Sequence, residues 1–254
     1  MLWITGIYDA NMGLRTSATV VVAAVDSINK DKADLVCTGV NDNLQITAAI
    51  ALLPAFGGKI LLLGGNYNFT SVVAINKNNT IIEGVGVSTR IFSNSASFTF
   101  FQATSLLGFK NMCMDTTNNG VAISGLLTYV YNCKFIGFYY AIQNTNNEAK
   151  IYSNNITNGT LSGSVGINNA GLKVNIYQNI ISCGIPSANK GIVNTGGQST
   201  IQNNIIYEPD GGLAISDTSG NSRVLFNQCK SLANIQVGTS VKYLTGTDWN
   251  SIIT

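Results

Sequence analysis

The residues of this 254-residue chain best suited to bond-breaking chemistry are Glu208 and Asp210, which flank Pro209 and precede Gly211-Gly212. Hydrolysis of a glycosidic bond needs two carboxyl groups roughly 5–9.5 Å apart, one to donate a proton and one to attack or to activate water. Two acids separated by one residue on a turn can meet that requirement, so they are the candidate catalytic acid and base. A turn that merely faces solvent would carry the same pair.

Sugar could instead be held without being cut. A series of equivalent positions reads Lys110, Tyr131, Tyr152, Tyr177, Gln202, Leu225. Tyrosine joins an apolar ring to a hydroxyl, which suits an amphipathic sugar ring. Three tyrosines in line, Tyr131, Tyr152 and Tyr177, therefore form a candidate glycan-binding stripe on whose faces sugar rings could stack. The same residues could serve as a contact between chains, or as a plain stack that ties neighbouring segments together.

Metal chemistry has little to work with. The chain has no histidine, and its five cysteines (Cys37, Cys113, Cys133, Cys183 and Cys229) include no CxxC pair. A zinc site is poorly supported, and the scattered thiols read as small buried apolar groups. No metal and no other cofactor is expected.

A repeat must position these residues. From Phe109 onward an apolar residue is followed three later by a small or polar one and two after that by another apolar one. The copies are Phe109/Met112/Met114, Val130/Cys133/Phe135, Ile151/Asn154/Ile156, Ile176/Asn179/Ile181, Ile201/Asn204/Ile206 and Val224/Asn227/Cys229. Their starts lie 21, 21, 25, 25 and 23 residues apart, and a second apolar mark follows each: Ile123, Ile142, Ile167, Ile192, Ile215 and Ile235. Such a period, with short β-branched runs and Asn/Gly turns, indicates a solenoid. The Leu-x-x-Leu-x-Leu signature of leucine-rich repeats is missing, and the coil of a parallel β-helix fits better. Parallel strands sit about 4.8 Å apart, so equal positions stack into columns. In such a rod Asp115 and Glu208 fall about four coils, on the order of 19 Å, apart. The column Asn154, Asn179, Asn204, Asn227 is expected at an inward turn, where each amide can donate to the next and so satisfy groups costly to bury.

The N-terminal part differs. Asp42 through Leu53 reads as a helix, with Asp42 as N-cap, Gln45 as its capping-box partner, and Pro54 with Gly57-Gly58 ending it. It is the expected plug for the open end of the solenoid core. The chain divides into an N-terminal segment (1–32), a strand and capping helix (33–58), the β-helix (59–240) and a C-terminal tail (241–254).

Composition sets outer bounds. Hydrophobic residues make up 45% and charged residues 10%, so the chain is not disordered. Fourteen basic against twelve acidic residues give +2 with no basic block, which leaves nucleic acid no electrostatic footprint. Asparagine is about one residue in eight, suited to tight turns. The first residues lack the basic start and apolar run of a signal peptide, and Val20–Val25 is too short to span a bilayer.

The run from Ala33 to Ile50, continued as Gly57-Gly-Lys-Ile-Leu-Leu-Leu-Gly-Gly-Asn-Tyr67 and Asn79-Thr-Ile-Ile-Glu-Gly-Val-Gly86, resembles the opening of pectin-lyase-like proteins, in the version common among phage tail and tailspike proteins. The resemblance implies an all-β, single-stranded, right-handed parallel β-helix with an N-terminal capping helix. It does not decide activity, because enzymes and inert spikes share that fold. The Gly-His-Gly and paired aspartates of polygalacturonase-like members are absent. Of the three arginines, Arg15, Arg90 and Arg223, none shows an adjacent acidic column of the pectate-lyase kind. The expectation is a non-catalytic phage-tail-like β-helix that binds cell-surface polysaccharide. It would act as a homotrimer, on a virion tail or an extracellular surface. A polysaccharide lyase or glycoside hydrolase, and a filament or surface scaffold, are the alternatives.

Overall fold

A computed structural model describes residues 18–93, 98–116, 121–158, 162–182, 188–207, 212–229, 235–237 and 242–244. It is a parallel β-solenoid whose coils lay strands on three walls. The first wall carries Thr19–Ala23, Gly58–Leu62 and Thr80–Gly84, then the second halves of Thr99–Lys110 and Val121–Tyr131. Lys150–Tyr152, Asn175–Tyr177, Thr200–Gln202, Arg223–Leu225 and Lys242–Leu244 complete it. The second wall runs from Gly65–Asn68 through Thr89–Ser93, Cys113–Thr116, Lys134–Phe138, Asn155–Asn158, Ile180–Ser182 and Ile205–Tyr207 to Gln228–Cys229. The third begins at Val73–Ile75 and takes the first halves of the two long strands. Tyr140–Asn144, Val165–Asn169, Lys190–Asn194, Leu213–Asp217 and Ile235–Val237 follow.

Stacking of like on like builds the core. The registers align Phe109, Val130, Ile151, Ile176, Ile201 and Val224 on the first wall. Met114, Phe135, Ile156, Ile181 and Ile206 align on the second, and Phe101, Ile123, Ile142, Ile167, Ile192 and Ile215 on the third. All are buried. The earlier coils are filled by rings, with Phe69, Phe100, Phe101, Phe109, Phe135 and Phe138 linked at centroid distances of 5.0 to 6.2 Å. Later coils rely on isoleucine, whose branched side chain packs well on a pleated strand.

The tight corner between the first and second walls needs a left-handed residue in each coil. Asn111, Asn132, Ser153, Gln178, Asn203 and Phe226 hold φ between 50° and 59°. Asparagine tolerates that conformation well, whereas a bulky residue does not.

The helix spans Asn43–Leu52 and buries Ile46, Ala49 and Ile50 in the core, against Thr19–Ala23 and Val73–Ile75. Its start departs from the expected capping box. Asp42 is itself helical (φ −64°, ψ −16°) and its carboxylate makes no bond to the helix. It accepts from the backbone of Thr38 (3.1 Å), Gly39 (2.9 Å) and Asn68 (2.8 Å), pinning the preceding turn to the second wall. Asn41, just before Asp42, is left-handed (φ 57°). Gln45 does not reach back, and its buried Oε1 has no partner among the described residues. On the first strand, Asp34 accepts from Val21 N–H at 2.7 Å and its own N–H donates to Val21 at 2.9 Å. These bonds extend the parallel pairing of Leu35–Val36 along that edge of Thr19–Ala23.

Candidate functional site

Tyr131, Tyr152 and Tyr177 end three successive strands of the first wall. Their registers run from Lys110 through the tyrosines to Gln202 and Leu225. The Tyr131 and Tyr152 rings stand 4.6 Å apart at 24°, and those of Tyr152 and Tyr177 4.9 Å apart at 5°. The separation follows the strand spacing. Consequently the rings turn their faces to one another rather than to solvent. Stacking of sugars on three open faces, as the sequence suggested, is not available. What remains for a ligand is a line of ring edges and hydroxyls at one-coil intervals. Burial, with the neighbouring Tyr177 and Tyr131, pushes the Tyr152 hydroxyl above its ordinary value, so it stays protonated and able to donate.

The ground beside the stack is built by glycine and charge. A side chain at Gly108 would meet the Tyr129 ring at 2.5 Å, so glycine here lets that ring lie flat across the neighbouring coil. Glu83 sits between Lys59 (3.4 Å) and Lys110 (3.1 Å). Burial alone would raise its carboxyl, but the bonds and charge of Lys110 and Lys59 outweigh that and hold it below its ordinary value. Glu83 therefore stays ionised and is a poor proton donor. Round the corner, Ser153, Gln178, Asn179, Ile180, Asn203 and Ile205 line a groove of about 440 Å³.

The polar corner beneath is a continuous hydrogen-bonded column. Nδ2 of Asn154 donates to Oδ1 of Asn179 (3.0 Å), Asn179 to Asn204 (2.9 Å) and Asn204 to Asn227 (2.9 Å). Each Nδ2 also reaches a backbone carbonyl one coil back, those of Val130, Ile151, Ile176 and Ile201 in turn. Cys133 continues the column upward, its N–H donating to Asn154 Oδ1 at 3.0 Å. Burial pushes the Cys133 and Cys37 thiols up to about 12, which leaves both as unreactive packing groups.

Two features are not evident from the sequence. On the third wall a second buried column joins Asn144 to Asn169 (2.7 Å), Asn169 to Asn194 (2.6 Å) and Asn194 to Asp217 (2.9 Å). On the second wall Arg90 does have an acidic neighbour: its guanidinium pairs with Asp115 at 2.7 Å and lies 5.1 Å from the Phe92 ring centroid. Asp115 is in register with Phe92, two residues along the strand from Arg90, so the two charges meet diagonally. Glu208, Asp210 and Cys183 lie outside the described residues. Among the described residues no three His, Cys, Asp or Glu side chains gather as a metal site, and no helix is long and apolar enough to cross a membrane.

No family model matches this chain, and no curated protein matches it. A solved structure described as Geobacillus virus E2 ORF18 is similar over 82% of this chain, with a TM-score of 0.55 and 17% identity. The chain spans about half of that one, 48% of its length. At this identity the likeness is one of fold.

Proposed function

We propose that the chain is the β-helix of a phage-related particle protein, displayed on a virion tail or similar surface, that binds bacterial surface polysaccharide without cutting it. The observation that carries this is the hydroxyl row of Tyr131, Tyr152 and Tyr177, set by centroid separations of 4.6 and 4.9 Å. Successive rings of an extended glycan follow at a spacing close to one coil of this rod, so a chain lying along the axis brings successive sugars to successive tyrosine hydroxyls. The groove round the corner, at Gln178 and Asn203, offers further polar contacts beside that row. The viral origin of the fold neighbour and the phage-tail-like motifs at Ala33–Gly86 support the particle setting. In this reading the helix Asn43–Leu52 caps the first coil, the coil handedness is right-handed, and three chains assemble side by side.

The test is a binding screen of the purified chain against bacterial surface polysaccharides, with reducing-end release measured in parallel. Binding without release is expected. Release that disappears in Glu208→Gln/Asp210→Asn would overturn the non-catalytic reading, and binding to no polysaccharide would overturn the glycan reading altogether.

A further inference from the structure

The outward side chains of the first wall are unevenly charged. The row beside the tyrosines reads Lys59, Ile81, Gly108, Tyr129, Lys150, Asn175, Thr200, Arg223, and the tyrosine row itself Leu61, Glu83, Lys110, Tyr131, Tyr152, Tyr177, Gln202, Leu225. Among the described side chains of these rows, four cations (Lys59, Lys110, Lys150 and Arg223) therefore face one acid, Glu83, on a chain whose whole net charge is only +2. Glu83 is shared by Lys59 and Lys110. Lys150 and Arg223 are exposed and have no carboxylate within ion-pair distance among the described residues. Lys150 is the more telling, since it lies two residues from Tyr152 on the same strand and in register between Tyr129 and Asn175. On the second wall Arg90 is already tied to Asp115, and Lys134, in the same register two coils further on, is the comparison cation away from the tyrosines.

From this we infer that the ligand of the tyrosine row is an acidic polysaccharide, whose anionic groups sit on Lys150 and Arg223 while its hydroxyls meet Tyr131, Tyr152 and Tyr177. The inference rests on the glycan reading above and adds the charge class of the ligand. A neutral sugar gains nothing from unpaired ammonium and guanidinium groups at its flank. A carboxylate or phosphate gains a charge-assisted hydrogen bond there, whereas Lys110, at the other end of the stack, is already held by Glu83. Because these cations are exposed, salt must weaken the attraction.

The experiment measures binding of the intact chain to polygalacturonate (carboxylate), a glycerol-phosphate teichoic acid (phosphate) and neutral dextran, at low and high salt. Lys150→Gln and Arg223→Gln are compared with Lys134→Gln on the second wall. Binding to one or both anionic polymers is expected, with the two polymers distinguishing carboxylate from phosphate. It should weaken with salt and fall about tenfold in Lys150→Gln, which is about 1.4 kcal/mol, with Lys134→Gln unchanged. Binding to dextran alone would overturn the acidic-ligand inference and leave the hydroxyl-row reading standing. Anionic binding indifferent to Lys150→Gln and Arg223→Gln would also overturn it. Binding to none of the three would count against the glycan reading itself.

Discussion

Asn194 donates to the carboxylate of Asp217 at 2.9 Å, and there the buried amide column of the third wall stops. The three asparagines before it share one local pattern: Nδ2 reaches the carbonyl two residues on, at Asn146, Gly171 and Gly196. In Asn144 and Asn169 the Oδ1 also accepts from the N–H two residues on, and Asp217 keeps that half, its Oδ1 accepting from Ser219 N–H at 3.1 Å. Its other oxygen is buried where the amide nitrogen would be and has no partner among the described residues. Position 217 is thus an aspartate in a socket shaped for asparagine.

Asp217→Asn should therefore stabilise the protein. It supplies a donor for the Ser219 carbonyl and removes an unmet acceptor, a gain of about 1 kcal/mol for a completed buried hydrogen bond. Denaturant midpoints for the two proteins decide the matter. A loss of stability would mean that the carboxylate has a partner in the chain beyond the described coils.

The first-wall corner makes the opposite prediction. Asn179 Oδ1 accepts from both the N–H (3.1 Å) and Nδ2 (3.0 Å) of Asn154, so Asn179→Leu strands buried donors. The expected cost is about 1–3 kcal/mol for each group left unsatisfied. Cys133→Asn tests the same geometry in the other direction. It adds a rung above Asn154, and the melting temperature should hold or rise.

The fold is legible in the sequence because each coil repeats the same inward residues, and the periods of 21 to 25 residues register strand on strand. The second amide column is equally present: Asn144, Asn169, Asn194 and Asp217 each follow an isoleucine of the repeat by two residues. Amid so many asparagines it does not stand out without the register. Arg90 and Asp115 lie 25 residues apart, one coil, but Arg90 precedes Phe109, where the clear repeat begins. Asp42 departs from its expected role for a different reason. A carboxylate can cap a helix or hold a turn with the same two oxygens, and the residue type and spacing are the same in both cases. The tyrosine column stands where the spacing puts it, and at one strand spacing its rings can only stack on one another, a consequence that appears once the register is known.

Phe226 presents a local conflict that can be relieved. It holds φ at 52° in the corner column where earlier coils use Asn111, Asn132 and Asn203, and it is nearly half exposed. A left-handed conformation costs an ordinary residue about 1–2 kcal/mol, and little burial offsets it here. Phe226→Asn should raise stability by about 1 kcal/mol. A drop in the unfolding midpoint would show that the ring packs on something other than the coils next to it.

The tyrosine row separates two roles that one residue could play. If Tyr152 serves only to tie coils together, the ring matters and the hydroxyl does not. If it meets a glycan along its edge, the reverse holds for binding. Tyr152→Phe keeps both ring stacks, at 4.6 and 4.9 Å, and removes only the hydroxyl. Thermal stability should be unchanged, while polysaccharide affinity falls about two- to tenfold, the equivalent of one hydrogen bond of about 0.5–1.5 kcal/mol. Tyr152→Ala removes the ring as well and should cost about 0.5–1.5 kcal/mol of folding stability for each of the two stacked ring pairs it breaks. A phenylalanine variant that binds as tightly as the parent would show that the hydroxyl edge is not where the ligand lies, whatever the alanine variant does to stability.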